Sequence, residues 1–291
     1  MSPGGELVLV ATPIGNLGDL SPRAVGVLRD ADRVCCEDTR RTRALMAAAG
    51  VRGGGRLLSL HAHNERSRLP GVLAELVAGK RVALVTDAGM PAVSDPGGRL
   101  VAAAVARGIR VTVVPGPSAV LAALVVSGLA SDRFSFEGFL PRRRTERLRR
   151  LARVVADERT IVLFEAPGRV AGTLGELAAL APDRRVAVCR ELTKVHEEVW
   201  RGTLADAAAA YAAREVRGEV VVVVAGAPEV AERSDLDVGA AVEDRLEAGD
   251  SAREAAVEVA ARLGVPRRIA YEAAIAARRH AGGAHPGEPP R

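Results

Sequence analysis

Residues 81–97 read RVALVTDAGMPAVSDPG. The first part, Arg81–Thr86, is a Val- and Leu-rich run with the length of a buried strand. Asp87–Gly97 then supplies Gly89, Pro91, Pro96 and Gly97 among small polar residues, and Gly98–Arg107 continues with apolar residues at helical spacing. A strand, a Gly/Pro-rich loop and a helix in that order make a βα unit of a parallel sheet. The same succession occurs on both sides of it. Leu7–Ala11 runs into Thr12-Pro13-Ile14-Gly15-Asn16 and the helix Ser21–Arg29, which Ser21 caps and Pro22 opens. Arg110–Val114 runs into Pro115-Gly116-Pro117-Ser118-Ala119. Further strands are expected at Arg33–Glu37 and Leu57–Leu60, and further helices at Thr39–Ala48 and Ser67–Ala78. Ligands of such sheets bind at the carboxyl ends of the strands, where Gly and Pro let backbone groups approach closely. Three such loops in one sheet point to a cofactor cleft. None is a GxGxxG fingerprint or a P-loop ending in Gly-Lys-Ser/Thr, which disfavours NAD and ATP.

The alternation predicts an α/β fold of two α/β domains, at 1–116 and 117–228. In the second, helices are expected at Ser118–Val126, Arg142–Ala156, Val170–Leu180 and Leu204–Ala213. Strands are expected at Arg133–Phe139, Thr160–Phe164, Arg185–Arg190, Glu197–Arg201 and Glu219–Ala225, with α/β and α+β both open. Pro115-Gly116-Pro117 reads as the hinge. From Val238 only helical periodicity remains, in Val238–Ala248, Ser251–Leu263 and Pro266–Arg279. This predicts a small helix-turn-helix-like domain at 229–280, followed by a disordered Gly/Pro-rich tail at 281–291.

The chain has 291 residues with 48% hydrophobic and 26% charged residues, an ordinary globular balance that excludes disorder throughout. No apolar run approaches the ~18–20 residues of a membrane-spanning helix, and Met1–Glu6 shows no secretion signal. Cys35, Cys36 and Cys189 cannot build a disulfide framework, so a cytoplasmic, reduced protein is expected. Of 41 basic residues only Lys80 and Lys194 are lysine. Arg-rich coding explains part of that excess, but seven arginines between Arg142 and Arg153, with Glu146 the only acid, form a cluster suited to phosphate. With only seven aromatic residues, a base-stacking sheet is hard to build, so any nucleic acid would be held by phosphates and shape. His61 and His63 lack a third His or Cys nearby, and no metal is implied.

Seven blocks occur in order along residues 7–280: VATPIGNLGDLSPRA, CEDTRRTR, LVTDAGMPAVSDPG, VPGPSA, FEGFLPRR, FEAPGRV and RELTKVHEE. In sequence and spacing the chain resembles the ribosomal RNA small subunit methyltransferase I family of the tetrapyrrole (corrin/porphyrin) methylase superfamily. The resemblance implies an S-adenosylmethionine-dependent 2′-O-methyltransferase acting on a cytidine ribose in the decoding-centre region of 16S rRNA. It also implies a cofactor cleft between two α/β domains, a helical C-terminal domain, a homodimer, and the 30S subunit as partner. Carried over by position, Pro13, Gly89, Met90, Pro91, Val93, Ser118 and Ala119 should border the cofactor, with Gly89-Met90-Pro91 in the place of the superfamily's Gly-Asp-Pro turn. Leu163, Cys189 and Glu219 stand where relatives contact the adenosyl part. Gly168 departs from the family's usual His, so no role for that side chain carries over, and Cys36 replaces a common Ala.

A ribose hydroxyl is a weak acid and needs a base or a polarising cation. The candidates lie in Glu37-Asp38-Thr39-Arg40, at Glu165, and in Arg190-Glu191-Leu192-Thr193-Lys194; Glu165, Glu191 and Lys194 lead as catalytic residues, with the base itself left open. Arg40, Arg142, Arg143, Arg144, Arg147 and Arg169 are the expected rRNA contacts. Arg267, Arg268, Arg278 and Arg279 on the last helix would read nucleic acid or merely accompany a cap on the second domain. Two rival functions remain at this stage: a tetrapyrrole C-methyltransferase, and a non-catalytic rRNA-binding assembly factor.

Overall fold

The computed structural model describes residues 4–228, 235–263 and 265–282. The chain forms two compact units, Met1–Gly226 and Ala227–Arg291. The expected boundary at 116/117 falls inside the first unit, between its two sheets.

The first lobe of that unit holds β1 (Glu6–Val10), β2 (Arg33–Cys36), β3 (Leu57–Ser59), β4 (Arg81–Leu84) and β5 (Arg110–Val114) in the order β3-β2-β4-β1-β5, every pair parallel. Parallel sheets need both faces covered. Val10, Val34 and Ala83 face one apolar cluster, with Leu28 of α1 (Pro22–Asp30) and Met46 of α2 (Thr39–Ala48). Leu7, Cys35 and Leu84 face another, with Leu76 of α3 (Glu65–Val77) and Leu100 of α4 (Gly98–Val105). Buried Glu65 accepts the amides of Arg99 (3.0 Å) and Leu100 (3.2 Å), placing a carboxylate at the positive end of α4.

The second lobe begins with α5 (Ala119–Ser127), β6 (Phe134–Phe139), α6 (Arg144–Ala156), β7 (Thr160–Glu165) and α7 (Val170–Leu180). It continues with β8 (Arg185–Arg190), β9 (Glu198–Thr203), α8 (Leu204–Tyr211) and β10 (Val220–Val224). The sheet order is β6-β7-β10-β8-β9; β6 and β7 are parallel and the other pairs antiparallel, so this lobe is mixed. Its central strand, β10, is five valines, all buried. One face packs on α6, α7 and α8 through Leu163, Val188 and Val222. The other packs on α5 through Val162, Cys189 and Val221, and there Ile14 and Ala88 of the first lobe enter the same cluster. That shared cluster is the seam between lobes. Trp200 stands edge-on to buried Tyr211, with ring centroids 6.1 Å apart, over Gly202, where a Cβ would lie 2.5 Å from the indole.

The structure shifts two sequence expectations. The Arg-rich helix starts at Arg144 rather than Arg142, leaving Arg142 and Arg143 in the turn before it. In the second unit, α9 (Asp235–Glu247), α10 (Ala252–Leu263) and α11 (Arg267–Gly282) pack around Val238, Val242, Val259 and Ala270. The last helix runs through Ala281 and Gly282, so the tail expected at 281–291 begins helical; 283–291 lie outside the described residues. Among the described residues no helix is long and apolar enough to cross a membrane, and no group of three His, Cys, Asp or Glu could hold a metal. All three cysteines are buried, and burial pushes the Cys35 thiol up to about 12 and Cys189 to about 11.

Leu163 is fully buried on the face of β7 that turns towards α6–α8. Leu163→Ala should therefore lower the unfolding free energy by about 2–5 kcal/mol, as measured by urea denaturation.

Candidate active site

The three Gly/Pro-rich loops meet at the carboxyl edge of the first sheet. Thr12 and Gly89 exchange both backbone hydrogen bonds, at 2.9 and 3.1 Å, which locks the β1 loop to the β4 loop. Gly89 has a φ of +81°, a left-handed conformation that glycine adopts at little cost. The amide of Ala11 donates to the Val114 carbonyl, and at Gly116 a Cβ would sit 2.9 Å from that of Ala11. Ser118 caps α5 by accepting the Leu121 amide, and Asp38 caps α2 by accepting those of Arg40 and Arg41. Ala92 and Ser94 also have positive φ, at 67° and 61°, so the β4 loop carries local strain of the kind stored at functional sites.

Two contiguous cavities open among these loops. The first, of about 460 Å³, lies between the β4 and α5 loops and the second sheet, against Phe164 and Val221. The second, of about 370 Å³, lies between the β1 loop, α2 and Lys194. Ile14, Arg41, Thr86, Asp87, Ala88 and Glu219 line both.

Of the residues expected at a cofactor, Gly89, Met90, Val93, Ser118, Ala119 and Glu219 line the first cavity. Pro13 lines the second, and Pro91 is buried within its turn. Leu163 and Cys189 line neither. Leu163 points to the opposite face of its sheet, and the Cys189 thiol lies under α5 against the Ala123 carbonyl. Strand alternation separates Leu163 from its cavity-lining neighbour Phe164.

The first cavity has an acidic wall that joins Glu37, one of the candidates for the base, to Asp87 and Asp95, which carried no such expectation. Burial pushes the Glu37 carboxyl above its usual range, with Asp95 and Asp87 adding to the effect. Burial also raises Asp95, against the 2.6 Å hydrogen bond it accepts from the Thr86 hydroxyl. Asp87 accepts the Asp38 amide at 3.2 Å and pairs with Arg41 at 3.3 Å. Asp38, beside it, is held down to about 2 by hydrogen bonds from the Arg40 side chain and amide.

The three residues expected to be catalytic occupy different settings. Glu165 is 2% exposed and accepts the Ala166 amide and the Thr173 hydroxyl, with Arg169 at 3.1 Å and Arg147 at 3.9 Å. Glu191 lines neither cavity; its Oε1 accepts from Lys194 Nζ (2.8 Å) and the Glu219 amide (2.9 Å). Those bonds, the lysine's first, hold its carboxyl below the usual range. Partial burial pulls Lys194 down, but hydrogen bonds to Glu191 and Glu219 outweigh it and leave Lys194 above an ordinary lysine. Gly15 makes this arrangement possible, since a Cβ there would meet Lys194 Cγ at 2.4 Å.

The expected rRNA contacts divide as well. Arg147 is engaged inside the second lobe by Glu176 (2.7 Å) and Thr173 (2.8 Å), and Arg169 by Glu165 and the Leu140 carbonyl. Arg40 folds back on Asp38. Arg142, Arg143 and Arg144 are exposed, with Arg143 facing Glu146 across one turn.

Because the folded-state carboxyl of Glu191 lies below its ordinary value of 4.5, its stabilising effect is present above that value and fades as pH falls through the depressed one. Between about pH 5 and 3, the melting temperature of Glu191→Gln should start lower and fall less steeply than that of the wild type.

Residues 6–208 match the family model of the Tetrapyrrole (Corrin/Porphyrin) Methylases. Ribosomal RNA small subunit methyltransferase I of Mycobacterium tuberculosis (strain CDC 1551 / Oshkosh) is 48% identical over 281 residues, covering 96% of this chain and 98% of the relative. The protein of the same name from Synechocystis sp. is 42% identical over 277 residues, covering 93% and 98%. Among solved structures, uroporphyrin-III C-methyltransferase of Thermus thermophilus in complex with S-adenosyl homocysteine shares the fold. Its TM-score is 0.53 at 23% identity, covering 76% of this chain and 97% of that one. The block order, the two-sheet architecture with its loop-lined cavity and this similarity agree: the chain belongs to the ribosomal RNA small subunit methyltransferase I family of the tetrapyrrole methylases.

Proposed function

We propose that this protein transfers the methyl group of S-adenosylmethionine to the 2′-hydroxyl of a cytidine ribose in the decoding-centre region of 16S rRNA. The observation that carries the reading is the 460 Å³ cavity, walled by three locked βα loops on one side and the second sheet on the other. Its residues suit the cofactor. The turn at Gly89 and Met90 gives close backbone access, Ile14, Phe164 and Val221 give an apolar bed for a base, and Glu37 and Asp95 give acid for cationic groups. When bound there, S-adenosylmethionine supplies an already activated methyl group, which leaves alignment as the protein's main task.

In this reading, Lys194 is a fixed cation beside the second cavity, Glu191 positions it, and Glu165 ties the cavity wall to α6 and α7. Arg142, Arg143 and Arg144 contact rRNA phosphates, while Arg147 and Arg169 hold the wall in place. The 40–51% identity to proteins named for rRNA small subunit methylation and these exposed arginines support rRNA over a small macrocycle. The reading includes a cytoplasmic site of action and a homodimer, for which exposed Leu121 and Val125 of α5 supply apolar surface.

The test is incubation with methyl-labelled S-adenosylmethionine and 30S subunits from a strain lacking this enzyme, followed by nucleoside mass spectrometry. The label should appear as 2′-O-methylcytidine; label on a base, or none, would refute the assignment. Gly89→Asp and Pro91→Arg should each weaken cofactor binding at least tenfold by calorimetry, since both fill the turn that borders the cavity. Replacing Arg142, Arg143 and Arg144 together by Ala should flatten the salt dependence of subunit binding by up to ~3 units of slope, with cofactor affinity unchanged.

A further inference from the structure

The second cavity, with Lys194 on its border, has about 370 Å³, within the range of small-ligand pockets. Pro13 and Leu17 from the β1 loop and Ala44 and Leu45 from α2 give it apolar sides, while Arg41 and Lys194 bring cations to it, each paired with a carboxylate of the same lining, Asp87 or Glu219. Apolar walls with nearby cations suit a nucleoside and its phosphates. Enzymes that act on a base draw it out of the stack into such a pocket, and a base lodged in the second cavity would hold its ribose in one place against the first.

A methyl group moving between two ligands must cross where their cavities meet. Among the described residues, two carboxylates line both cavities, Asp87 and Glu219. The Glu219 side chain is 65% exposed and bound to Lys194. Asp87 is 19% exposed and fixed through both oxygens, one by the Asp38 amide and one by Arg41. A carboxylate has about four acceptor positions, so two remain. The other acids and bases near the site are less suited. Glu165 is buried among four partners, Glu191 lines neither cavity, and Lys194 is held protonated.

We propose that the second cavity takes the target nucleoside, extruded from its strand, and that Asp87 on the common wall accepts the proton of its ribose hydroxyl. This rests on the methyltransferase reading above and adds to it the substrate pocket and the base. The hydroxyl proton goes to a carboxylate oxygen of Asp87 and the methyl group takes its place on the ribose oxygen. The electron pair of the broken S–CH₃ bond stays on sulfur, so no oxidant or further reactant is needed.

Two variants test this in single-turnover reactions with 30S subunits, alongside calorimetry with S-adenosylmethionine and subunit binding. Asp87→Asn keeps an acceptor for the Asp38 amide but loses basicity. With cofactor and subunit both saturating, its rate should fall at least 100-fold. Ala44→Trp places an indole from the exposed side of α2 over the second cavity; methylation should fall at least 100-fold with cofactor affinity within threefold. A rate within tenfold of wild type for Asp87→Asn removes Asp87 as the base. Normal methylation by Ala44→Trp removes the nucleoside from this cavity, and a collapse of its cofactor affinity gives the cavity to the cofactor instead. Wild-type enzyme that leaves every ribose unmethylated would overturn the functional reading itself, whereas the variant results bear on this assignment alone.

Discussion

The paired hydrogen bonds between Thr12 and Gly89 join two loops that leave adjacent parallel strands, and much of the site follows from that clamp. With the β1 loop held against the β4 loop, Ile14 is directed into the apolar cluster of the second lobe and Gly15 into contact range of Lys194. The same strand order brings the Thr86 hydroxyl to Asp95 and the Thr12 hydroxyl to the Thr86 carbonyl, so the β4 loop is pinned at several points. A loop fixed in this way can store positive φ at Ala92 and Ser94 and present backbone groups without reorganising.

The seam between lobes is apolar, while the cavity rims above it are charged. Burial of Ile14, Val162 and Val221 in one cluster supplies the non-directional attraction that holds the lobes together. Carboxylates and cations are then arranged in pairs around it: Asp87 with Arg41, Glu191 and Glu219 with Lys194, and Glu165 with Arg169. Such pairs give orientation more than stability, because the cost of taking largely buried charges such as Glu165 and Asp87 out of water offsets much of their attraction. Placing charge at the rim and hydrocarbon at the seam separates the tasks of binding and cohesion.

The first sheet was readable from the chain because each of its strands is a short apolar run that ends in turn residues, and consecutive helices force parallel pairing. The second was less so. Nothing local in Val220–Val224 shows that it runs antiparallel to both neighbours, since that depends on non-local pairing. The loops at Gly89 and Ser118 were legible as ligand-facing from their composition. Leu163 was not separable from Phe164, because alternation assigns them to opposite faces without saying which one faces the cleft. Arg147 reads as part of a basic surface until the fold brings Glu176 of α7 to it, and Arg169 until the turn after β7 returns it onto Glu165 four residues earlier. Asp87 carried no signal of its own, being one more small polar residue in a turn; only the junction of two cavities distinguishes it.

Trp200 is the only tryptophan in the chain, and it lies in β9 of the second lobe, packed on Tyr211. Neither cavity is lined by it or by either tyrosine. Intrinsic tryptophan emission is therefore a local gauge of the second lobe. It would follow the melting of β8, β9 and α8 and pass over events confined to the parallel sheet, so occupancy of the cavities has to be read by an added label or by heat. A single indole placed in the first lobe of a chain whose Trp200 is replaced would give the matching gauge for the parallel sheet, so that the two lobes could be followed separately by comparing the two proteins.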